Sequence, residues 1–446
     1  MKFIASSLDV EKYLNININE YFLIKNISTD TRSMDRDSFF IAIKGDRFNG
    51  NDYVEEAFDK GAALALVDDP RFANVKNNRI IYVKNTIKAL ATMSKNIINN
   101  YDGKVIAITG SNGKTTTTNI IASTLESSSS TLANFNNEIG LPLSIFNSSP
   151  KSKYLVYEIG ASKFNDINYL SRILKPDIGV ITNIGLSHLE FLKNKQGVLK
   201  VKSEIIKNIK KDGFLIVPDD NKSHLKHWRS LRSDINIVTF GLESSSDFHS
   251  SDIKFKTNGL HFSVESKYLD KKKKLNSKLE GNHNVINILA SCAVHYCLKK
   301  NINEITKNIG SVIFHNSRSS KIKWIKGSIL IDDTYNANPD SARKSIDLLS
   351  NNSNKTYVIL GDMLELGKYK KKLHKEIGQY AKIKGIDIFI GFGELAKHAV
   401  DGFGNDGLFF TEELDLKNYL KQNISKKDVI LIKGSRGMKM ERFINV

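Results

Sequence analysis

Short apolar runs and amphipathic stretches alternate along most of this chain. Apolar runs bounded by turn residues predict strands, whereas apolar residues at helical spacing predict the helices between them. In the middle of the chain the predicted strands are residues 104–109, 154–159, 177–183, 213–217 and 236–240. Because a helical or turn segment follows each strand, the pattern predicts a largely parallel sheet with both faces covered.

Two further blocks flank this one. The first contains short mixed elements, with strands at 38–43 and 63–67 and a helix between them. The last returns to strand–helix alternation and predicts a second, smaller doubly wound unit. Its predicted strands are 328–333, 356–360, 387–391 and 428–432, and its predicted helices lie at about 340–350, 372–384 and 413–422.

The predicted fold class is therefore α/β with three domains. We expect a small mixed α/β N-terminal domain at residues 1–84, a central parallel-sheet domain at 85–314 and a C-terminal Rossmann-like domain at 315–446. The central block ends in a hairpin-like stretch, with Asn258-Gly259 as its turn signal, and a buried helix at 284–299.

Composition is that of a globular protein. The 446 residues are 40% hydrophobic and 26% charged. No stretch approaches the roughly 18 apolar residues of a membrane span, and the N-terminus turns polar too soon for a signal peptide, so we expect a cytoplasmic protein without membrane insertion. Cys292 and Cys297 lie five residues apart on a predicted helix and are expected to be reduced core residues.

The chain is basic, with 66 Lys and Arg against 48 Asp and Glu and a formal net charge of +18. These charges are spread along the chain, and the one dense run, at 271–274, falls where a hairpin turn is expected. A nucleic-acid-binding protein more often clusters them on one face with interleaved aromatics. We therefore expect no nucleic-acid partner. The positive charge would, however, attract small anionic substrates and so speed their encounter with the protein.

The clearest chemical signature is an apolar strand, a glycine turn and a helix that opens with Lys114 and Thr115. Gly110 and Gly113 allow backbone N–H groups to close around phosphate oxygens, and the helix N-terminus adds partial positive charge. In such a loop the lysine contacts the β- and γ-phosphates and the threonine hydroxyl contacts Mg²⁺. The candidate nucleotide-binding residues of this loop are Gly110, Ser111, Asn112, Gly113, Lys114, Thr115 and Thr116.

Residues that suit a metal ion follow two other predicted strands. Glu158 lies at the end of strand 154–159, and His188 comes just after strand 177–183. Ligands gather at the carboxyl ends of strands in open α/β sheets, so both side chains are expected near Thr115, in a candidate magnesium site. Alone, a strand-end glutamate or a single histidine is more often structural.

Five segments resemble the Mur ligases, the ATP-dependent amide-forming enzymes of peptidoglycan precursor synthesis, in order and spacing across the whole chain. They are GSNGKTT at 110–116, Glu158, TN at 182–183 with His188, KSE at 202–204 and GNHN at 281–284. Four longer motifs are similar to the family member that adds D-alanyl-D-alanine to UDP-N-acetylmuramoyl-tripeptide. They are NFNNEIGLP at 134–142, IDDTYNANPDS at 331–341, LGDMLELG at 360–367 and KGSR at 433–436.

The resemblance implies a reaction in two steps. The terminal carboxylate of the tripeptide attacks the γ-phosphorus of ATP and gives an acyl phosphate and ADP. The amine of D-Ala-D-Ala then displaces phosphate and forms the amide. ATP and two Mg²⁺ ions are the implied cofactors, UDP-N-acetylmuramoyl-tripeptide and D-Ala-D-Ala are the implied substrates, and we expect a monomer.

The resemblance also assigns roles to residues by position. The implied catalytic residues are Lys114, Glu158, His188 and Lys202. Lys202 matches a family lysine that reacts with carbon dioxide to become a carbamate, which requires a neutral amine such as burial near cations supplies. The implied metal ligands are Thr115, Glu158, His188 and carbamylated Lys202. Further implied ATP contacts are Asn284, Arg318, Asp333 and Tyr335, and implied substrate contacts are Thr31, Arg32, Asn134, Asn136, Asn137 and Arg436.

Two positions depart from the family pattern. Ser317 stands where a glycine usually precedes the arginine, and NGNDY at 49–53 replaces a segment expected closer to DGHDF, so the uridine contacts stay open. One alternative is another amide ligase of the superfamily, such as a folylpolyglutamate synthase or a different Mur ligase, which leaves the motifs at Asn134 and Asp332 unexplained. Another is a phosphate-loop nucleotide switch. The sequence does not distinguish a tripeptide that ends in lysine from one that ends in diaminopimelate.

Overall fold

The structure is a computed structural model of the chain that describes residues 2–256, 259–309 and 320–446. Its N-terminal elements are α1 (Ser7–Leu14), β1 (Asn26–Ser28), β2 (Ser38–Ile41), α2 (Val54–Asp59), β3 (Leu64–Val67), β4 (Ile80–Tyr82) and α3 (Thr86–Asn99). The four strands form a parallel sheet in the order of the chain. β2 and β3 are wholly buried, as their apolar runs predict, whereas β1 and β4 are three residues long and partly exposed.

The central elements build a nine-stranded sheet in the order β13-β12-β11-β10-β9-β8-β5-β7-β6. They are β5 (Lys104–Thr109), α4 (Lys114–Thr124), β6 (Ser128–Ser130), α5 (Gly140–Asn147), β7 (Tyr154–Glu158), α6 (Asp166–Leu174), β8 (Ile178–Ile181), α7 (Leu189–Leu192), α8 (Lys195–Ser203), β9 (Phe214–Pro218), α9 (Lys222–Leu231), β10 (Asn236–Phe240), β11 (Phe248–Lys256), β12 (Gly259–Ser266), β13 (Lys273–Ser277), α10 (Asn282–Cys297) and α11 (Asn303–Asn308). All neighbouring strands between β6 and β11 in this order pair parallel, which confirms the predicted parallel sheet. The pairs β11–β12 and β12–β13 at the other edge are antiparallel.

β5 lies between β7 and β8, inside the sheet. Its side chains alternate between two apolar cores, with Val105 and Ala107 in one and Ile106 and Ile108 in the other. The first core includes side chains of α3, α5 and α6, and the second includes side chains of α4 and α10. Both faces of the sheet are therefore covered by helices, which fixes β5 and the loop after it in a rigid frame.

The hairpin predicted near residue 258 is present as a strand pair. β11 and β12 pair antiparallel up to Lys256 and Gly259, while Asn258, the first residue of the predicted turn, lies outside the described residues. Cys292 is buried and Cys297 is partly buried, and both are free thiols, as predicted. None of the helices that the structure describes is long and apolar enough to cross a membrane.

The C-terminal elements form a six-stranded sheet in the order β14-β15-β19-β16-β17-β18. They are β14 (Ser320–Lys323), β15 (Ile329–Asp333), α12 (Pro339–Ser350), β16 (Thr356–Gly361), α13 (Lys370–Ile383), β17 (Ile388–Phe392), α14 (Ala396–Phe403), β18 (Gly407–Phe410), α15 (Glu413–Asn423) and β19 (Val429–Lys433). Only the pairing of β14 with β15 is antiparallel, and the predicted doubly wound unit is confirmed. The proposed domain boundaries stay predictions, and the one at 314/315 lies outside the described residues.

Candidate active site

The loop between β5 and α4 is held by the residues that follow β8. Gly110 and Gly113 have φ values of +148° and +80°, and a Cβ atom at Gly110 would overlap the Thr182 hydroxyl. The Asn112 N–H donates to Asn183 Oδ1 at 3.0 Å, and the Asn112 carbonyl accepts from the Thr182 hydroxyl at 2.6 Å and from Asn183 Nδ2 at 3.0 Å. The loop is therefore preformed as a cradle that only glycine allows at its first position.

We expect Gly110→Ala to lower the free energy of unfolding by about 1–3 kcal/mol, because it combines an unfavourable φ with a clash against Thr182. ATP binding should weaken by about tenfold or more, since the shifted loop no longer matches the phosphates. Urea unfolding and calorimetric titration with ATP measure the two effects. Gly385→Ala is the matched control, because Gly385 also has a positive φ (+74°) but has no atom within 4 Å of the added Cβ. ATP affinity equal to that of the unmodified protein in Gly110→Ala would contradict the loop assignment.

The loop lysine and threonine lie beside a buried carboxylate. Lys114 Nζ donates to the Gly110 carbonyl at 3.0 Å. The Thr115 hydroxyl donates to one carboxylate oxygen of Glu158, and Asn136 Nδ2 donates to the other at 2.7 Å. Glu158 is 3% exposed, so these donors stabilise a carboxylate that is largely removed from water. The hydroxyl and carboxylate oxygens are hard ligands of the kind that Mg²⁺ prefers.

His188 lies at the start of α7 and contacts the C-terminal domain. Its Nδ1 atom forms a 2.5 Å hydrogen bond with Glu365 Oε2, and this bond lowers the pKa of Glu365. The Glu365 carbonyl also accepts the Glu190 N–H at 2.9 Å. One ring nitrogen of His188 is therefore engaged by a residue 177 positions further along the chain.

Lys202, on α8, is buried. Lys202 is only 1% exposed. Burial is the main cause that lowers the pKa of its amine to about 7, and the nearby positive charge of Lys114 is the second. Glu158, Asp166 and Glu204 partly oppose the effect. From helical pattern alone Lys202 would be a surface lysine. The lowered pKa favours the neutral amine, which is the state that reacts with carbon dioxide.

Asn284 lies in the first turn of α10, which begins two residues earlier than predicted and has Gly281 as its N-cap. Its Nδ2 atom donates to the Glu280 carbonyl at 2.7 Å, and its Oδ1 atom accepts from Asn287 at 3.1 Å. Asn287 in turn accepts the Thr117 hydroxyl of α4 at 3.3 Å. These contacts fix the start of α10 against the helix of the phosphate loop.

Asp333 forms a buried ion pair that sequence reasoning did not identify. Its carboxylate accepts from Lys433 Nζ at 2.5 Å and from the Ser345 hydroxyl at 2.6 Å, and Lys433 also donates to the Asn336 carbonyl at 2.9 Å. Lys433 lies in the KGSR motif, but only the pairing of β15 with β19 shows that it faces Asp333. Arg318, predicted to contact the same nucleotide, lies outside the described residues.

A single cleft of about 1830 Å³ brings most of these residues together. This volume exceeds the roughly 300–1,000 Å³ of a typical small-ligand pocket, so it has room for more than one substrate. The predicted site residues that line it are Ser111, Asn112, Gly113, Lys114, Thr115, Thr116, Asn136, Asn137, Glu158, His188, Asn284, Asp333 and Tyr335. Those that do not line it are Gly110, Lys202, Thr31, Arg32, Asn134 and Arg436.

The predicted substrate contacts outside the cleft lie on the surface or in the N-terminal domain. Thr31 is buried at the start of a short turn, and Arg32 pairs with Asp30 at 2.7 Å while its side chain is 85% exposed. Arg436 is also exposed and donates to Glu441 at 3.0 Å. These assignments stay predictions, as does the metal site. Within the described ranges, no three His, Cys, Asp or Glu side chains gather as a metal cluster.

Comparisons with known proteins identify the family of this chain. Three family models match: Mur ligase middle domain at residues 108–295, Mur ligase, glutamate ligase domain at 318–436, and Mur ligase family, catalytic domain at 23–99. A UDP-N-acetylmuramoyl-tripeptide–D-alanyl-D-alanine ligase of Bacillus subtilis is 34% identical over 438 residues, which cover 95% of this chain and 93% of that protein.

Two solved structures agree with this result. MurF from Acinetobacter baumannii has a TM-score of 0.87 at 27% identity, with 98% of this chain and 97% of that one covered. MurF from Thermotoga maritima in complex with ADP has a TM-score of 0.82 at 28% identity, with 94% and 96% covered. The first of these matches covers 98% of this chain and therefore includes all three sheets. The chain belongs to the Mur ligase family of ATP-dependent, amide-bond-forming ligases.

Proposed function

We propose that this protein joins D-alanyl-D-alanine to UDP-N-acetylmuramoyl-tripeptide and forms UDP-N-acetylmuramoyl-pentapeptide, ADP and phosphate. The observation that carries the proposal is the cleft, in which the phosphate loop and buried Glu158 face Asp333 of the C-terminal domain. The full-length similarity to ligases of that name supports the choice of substrates over those of other family members. A nucleotide switch would not require the C-terminal domain to face the nucleotide across the cleft.

ATP fits the loop through groups that the fold already positions. The N–H groups at the start of α4 point toward the phosphate cradle, and Lys114 adds a full positive charge beside it. Negative charge builds on the transferred phosphoryl group and on the ADP that leaves. The fixed dipoles and the lysine stabilise this charge without reorganising, so positioning and electrostatics account for most of the rate increase.

The residues around Glu158 fit magnesium. Mg²⁺ usually keeps several waters and takes one or two protein oxygen ligands together with substrate phosphates, so it does not require a dense acidic cluster. We propose that Thr115 and Glu158 hold the ion of the nucleotide, and that Glu158, His188 and a carbamate on Lys202 hold a second one. When bound, these ions neutralise charge on the phosphate and carboxylate oxygens.

In the C-terminal domain, the start of α12 contacts the central domain beside the phosphate loop. Asn338 Nδ2 donates to Asn112 Oδ1 at 2.8 Å, and the carboxylate of Asp340 accepts the Leu186 N–H at 2.7 Å. Both contacts bring the start of α12 against the phosphate loop and the segment after β8. An acyl phosphate formed there would be shielded from water until the amine of D-Ala-D-Ala attacks it.

We propose that the remaining substrate contacts lie on both sides of this cleft. Thr31 and Arg32 would contact the uridine end, and Asn134, Asn136 and Asn137 the sugar and peptide, because amides both donate and accept. Arg436 would pair with a peptide carboxylate. One chain carries every residue of the proposed site, which supports a monomeric enzyme, and ATP and UDP-linked substrates support a cytoplasmic one.

Phosphate release tests the proposal. We expect release only when ATP, UDP-N-acetylmuramoyl-tripeptide and D-Ala-D-Ala are all present, with the pentapeptide product confirmed by its mass. Running the assay with tripeptides that end in lysine and in diaminopimelate identifies the accepted form. Steady hydrolysis without substrates, or stimulation by nucleic acid, would favour the nucleotide switch. Product formation with another amine in place of the dipeptide would favour a different ligase.

A further inference from the structure

The motif LGDMLELG at 360–367 has no role in the reaction described so far. It follows β16, and its glutamate, Glu365, reaches the central domain. Glu365 and His188 both have positive φ values, +60° and +51°, which are unfavourable for residues other than glycine. In this conformation the Glu365 carboxylate bonds His188 and its carbonyl bonds the Glu190 N–H. Both ends of the contact are therefore held in a backbone conformation that costs free energy.

The chemistry of this hydrogen bond determines the state of the histidine. A carboxylate has no proton to donate, so the Nδ1 atom of His188 must carry the hydrogen and donate it to Glu365. In the neutral ring the lone pair then lies on Nε2. A lone pair on Nε2 is what a metal ion or another electrophile in the cleft requires. Histidines that ligate metals are held in this way, by a carboxylate on the opposite nitrogen.

We propose that Glu365 is a positioning residue that holds His188 as the Nδ1–H tautomer and keeps Nε2 available to the cleft. The inference rests on the proposed function, because it gives His188 its role toward Mg²⁺. Glu365 belongs to the C-terminal domain, so contact with that domain supplies the hydrogen-bond acceptor for a histidine of the central domain. The neighbouring contacts of Asn338 and Asp340 hold the two domains together at this point.

Nitrogen NMR of the full chain with ¹⁵N-labelled histidine tests the tautomer directly. Recorded near pH 8, where imidazoles are largely neutral, the spectrum of His188→Gln identifies the His188 signals among those of ten histidines. We expect the Nδ1–H pattern in the unmodified protein and the Nε2–H pattern in Glu365→Ala. Glu365→Gln should keep Nδ1–H, because the amide oxygen accepts the same hydrogen. An Nε2–H pattern in the unmodified protein, or an unchanged one in Glu365→Ala, would overturn the inference.

The magnesium requirement gives a second readout. In the phosphate-release assay we expect Glu365→Ala to raise the Mg²⁺ concentration needed for half-maximal rate by about 10–100-fold. Glu190→Ala is the matched control, because Glu190 is exposed in α7, two residues after His188, and donates to the Glu365 carbonyl through its backbone N–H, which the substitution keeps. Glu365 is 45% exposed, so its replacement should leave the unfolding midpoint nearly unchanged. A lower midpoint with an unchanged Mg²⁺ requirement would indicate a merely structural residue and would contradict the proposal.

The two experiments separate failure of this inference from failure of the proposed function. The tautomer is measured without nucleotide or substrates, so it does not depend on the ligase reaction. An inactive ligase with the expected tautomers would contradict the proposed function alone. Full ligase activity with His188 as Nε2–H would contradict the inference alone.

Discussion

Replacing Lys114 with alanine is expected to abolish measurable amide formation, a loss of about 10³-fold or more. The Lys114 ammonium lies over the phosphate loop, where it donates to the Gly110 carbonyl. During phosphoryl transfer it is the one fixed side-chain cation that we place on the β- and γ-phosphates, and no neutral group can replace its charge. The same positive charge at the N-terminus of α4 opposes the helix dipole, so its removal should cost the fold little.

Ligase turnover and urea unfolding, measured on the same preparations, separate these two effects. Lys207→Ala provides the matched control, because Lys207 is an exposed lysine of the same domain that lies away from the cleft. It should retain both activity and stability. Near-normal turnover in Lys114→Ala would show that the loop assignment is wrong, and a large loss of stability would show that Lys114 serves the fold.

The second large effect concerns Lys202. We expect Lys202→Met to lower turnover by about 10²–10³-fold, because methionine fills the buried space but cannot form a carbamate. Added short carboxylates such as acetate should restore part of the rate, since they can supply the missing oxygen ligands. The pKa of about 7 means that the amine loses its proton as the pH rises through neutrality. Carbamylation should therefore increase from about pH 6 to about pH 8.

A high-resolution crystal structure loaded with Mg²⁺ provides the direct measurement. Three additional atoms on the Lys202 side chain are expected in the electron density. Their absence would remove the carbamate from the mechanism. Turnover in carbon dioxide-free buffer is the accompanying solution experiment, and a rate unaffected by added bicarbonate would point to the same conclusion.

Buried strands could be predicted from the sequence, whereas partly exposed strands such as β6 could not. β5, β7 and β8 are apolar runs whose side chains fill two cores, so their pattern is visible without knowledge of their partners. β6 consists of three serines, which appear in the sequence as low complexity. It is a strand because its backbone pairs with β7. That pairing depends on hydrogen bonds between main-chain atoms and leaves no trace in side-chain polarity.

The residues of the candidate site also fall into two groups, those that local sequence predicts and those that it does not. The phosphate loop and Glu158 follow directly from local sequence, because a strand end places them at the same edge of the sheet. The contact between His188 and Glu365 and the ion pair between Asp333 and Lys433 join residues 177 and 100 positions apart. Nothing in either local segment specifies its partner. Such pairs appear only when the domains and strands are placed in space.

The position of β19 has a consequence for how the C-terminal domain is made. β19 follows every other strand of its sheet in the chain, yet it lies between β15 and β16 in the middle of that sheet. During synthesis the two strands that will flank it are therefore present with an open gap between them, and each exposes an unpaired backbone edge. The sheet of this domain can therefore be completed only after its last strand has been made. If β19 paired with β15 one residue out of register, Lys433 would be buried without its partner Asp333. Because an unpaired buried charge is costly, the ion pair favours the correct register of β19.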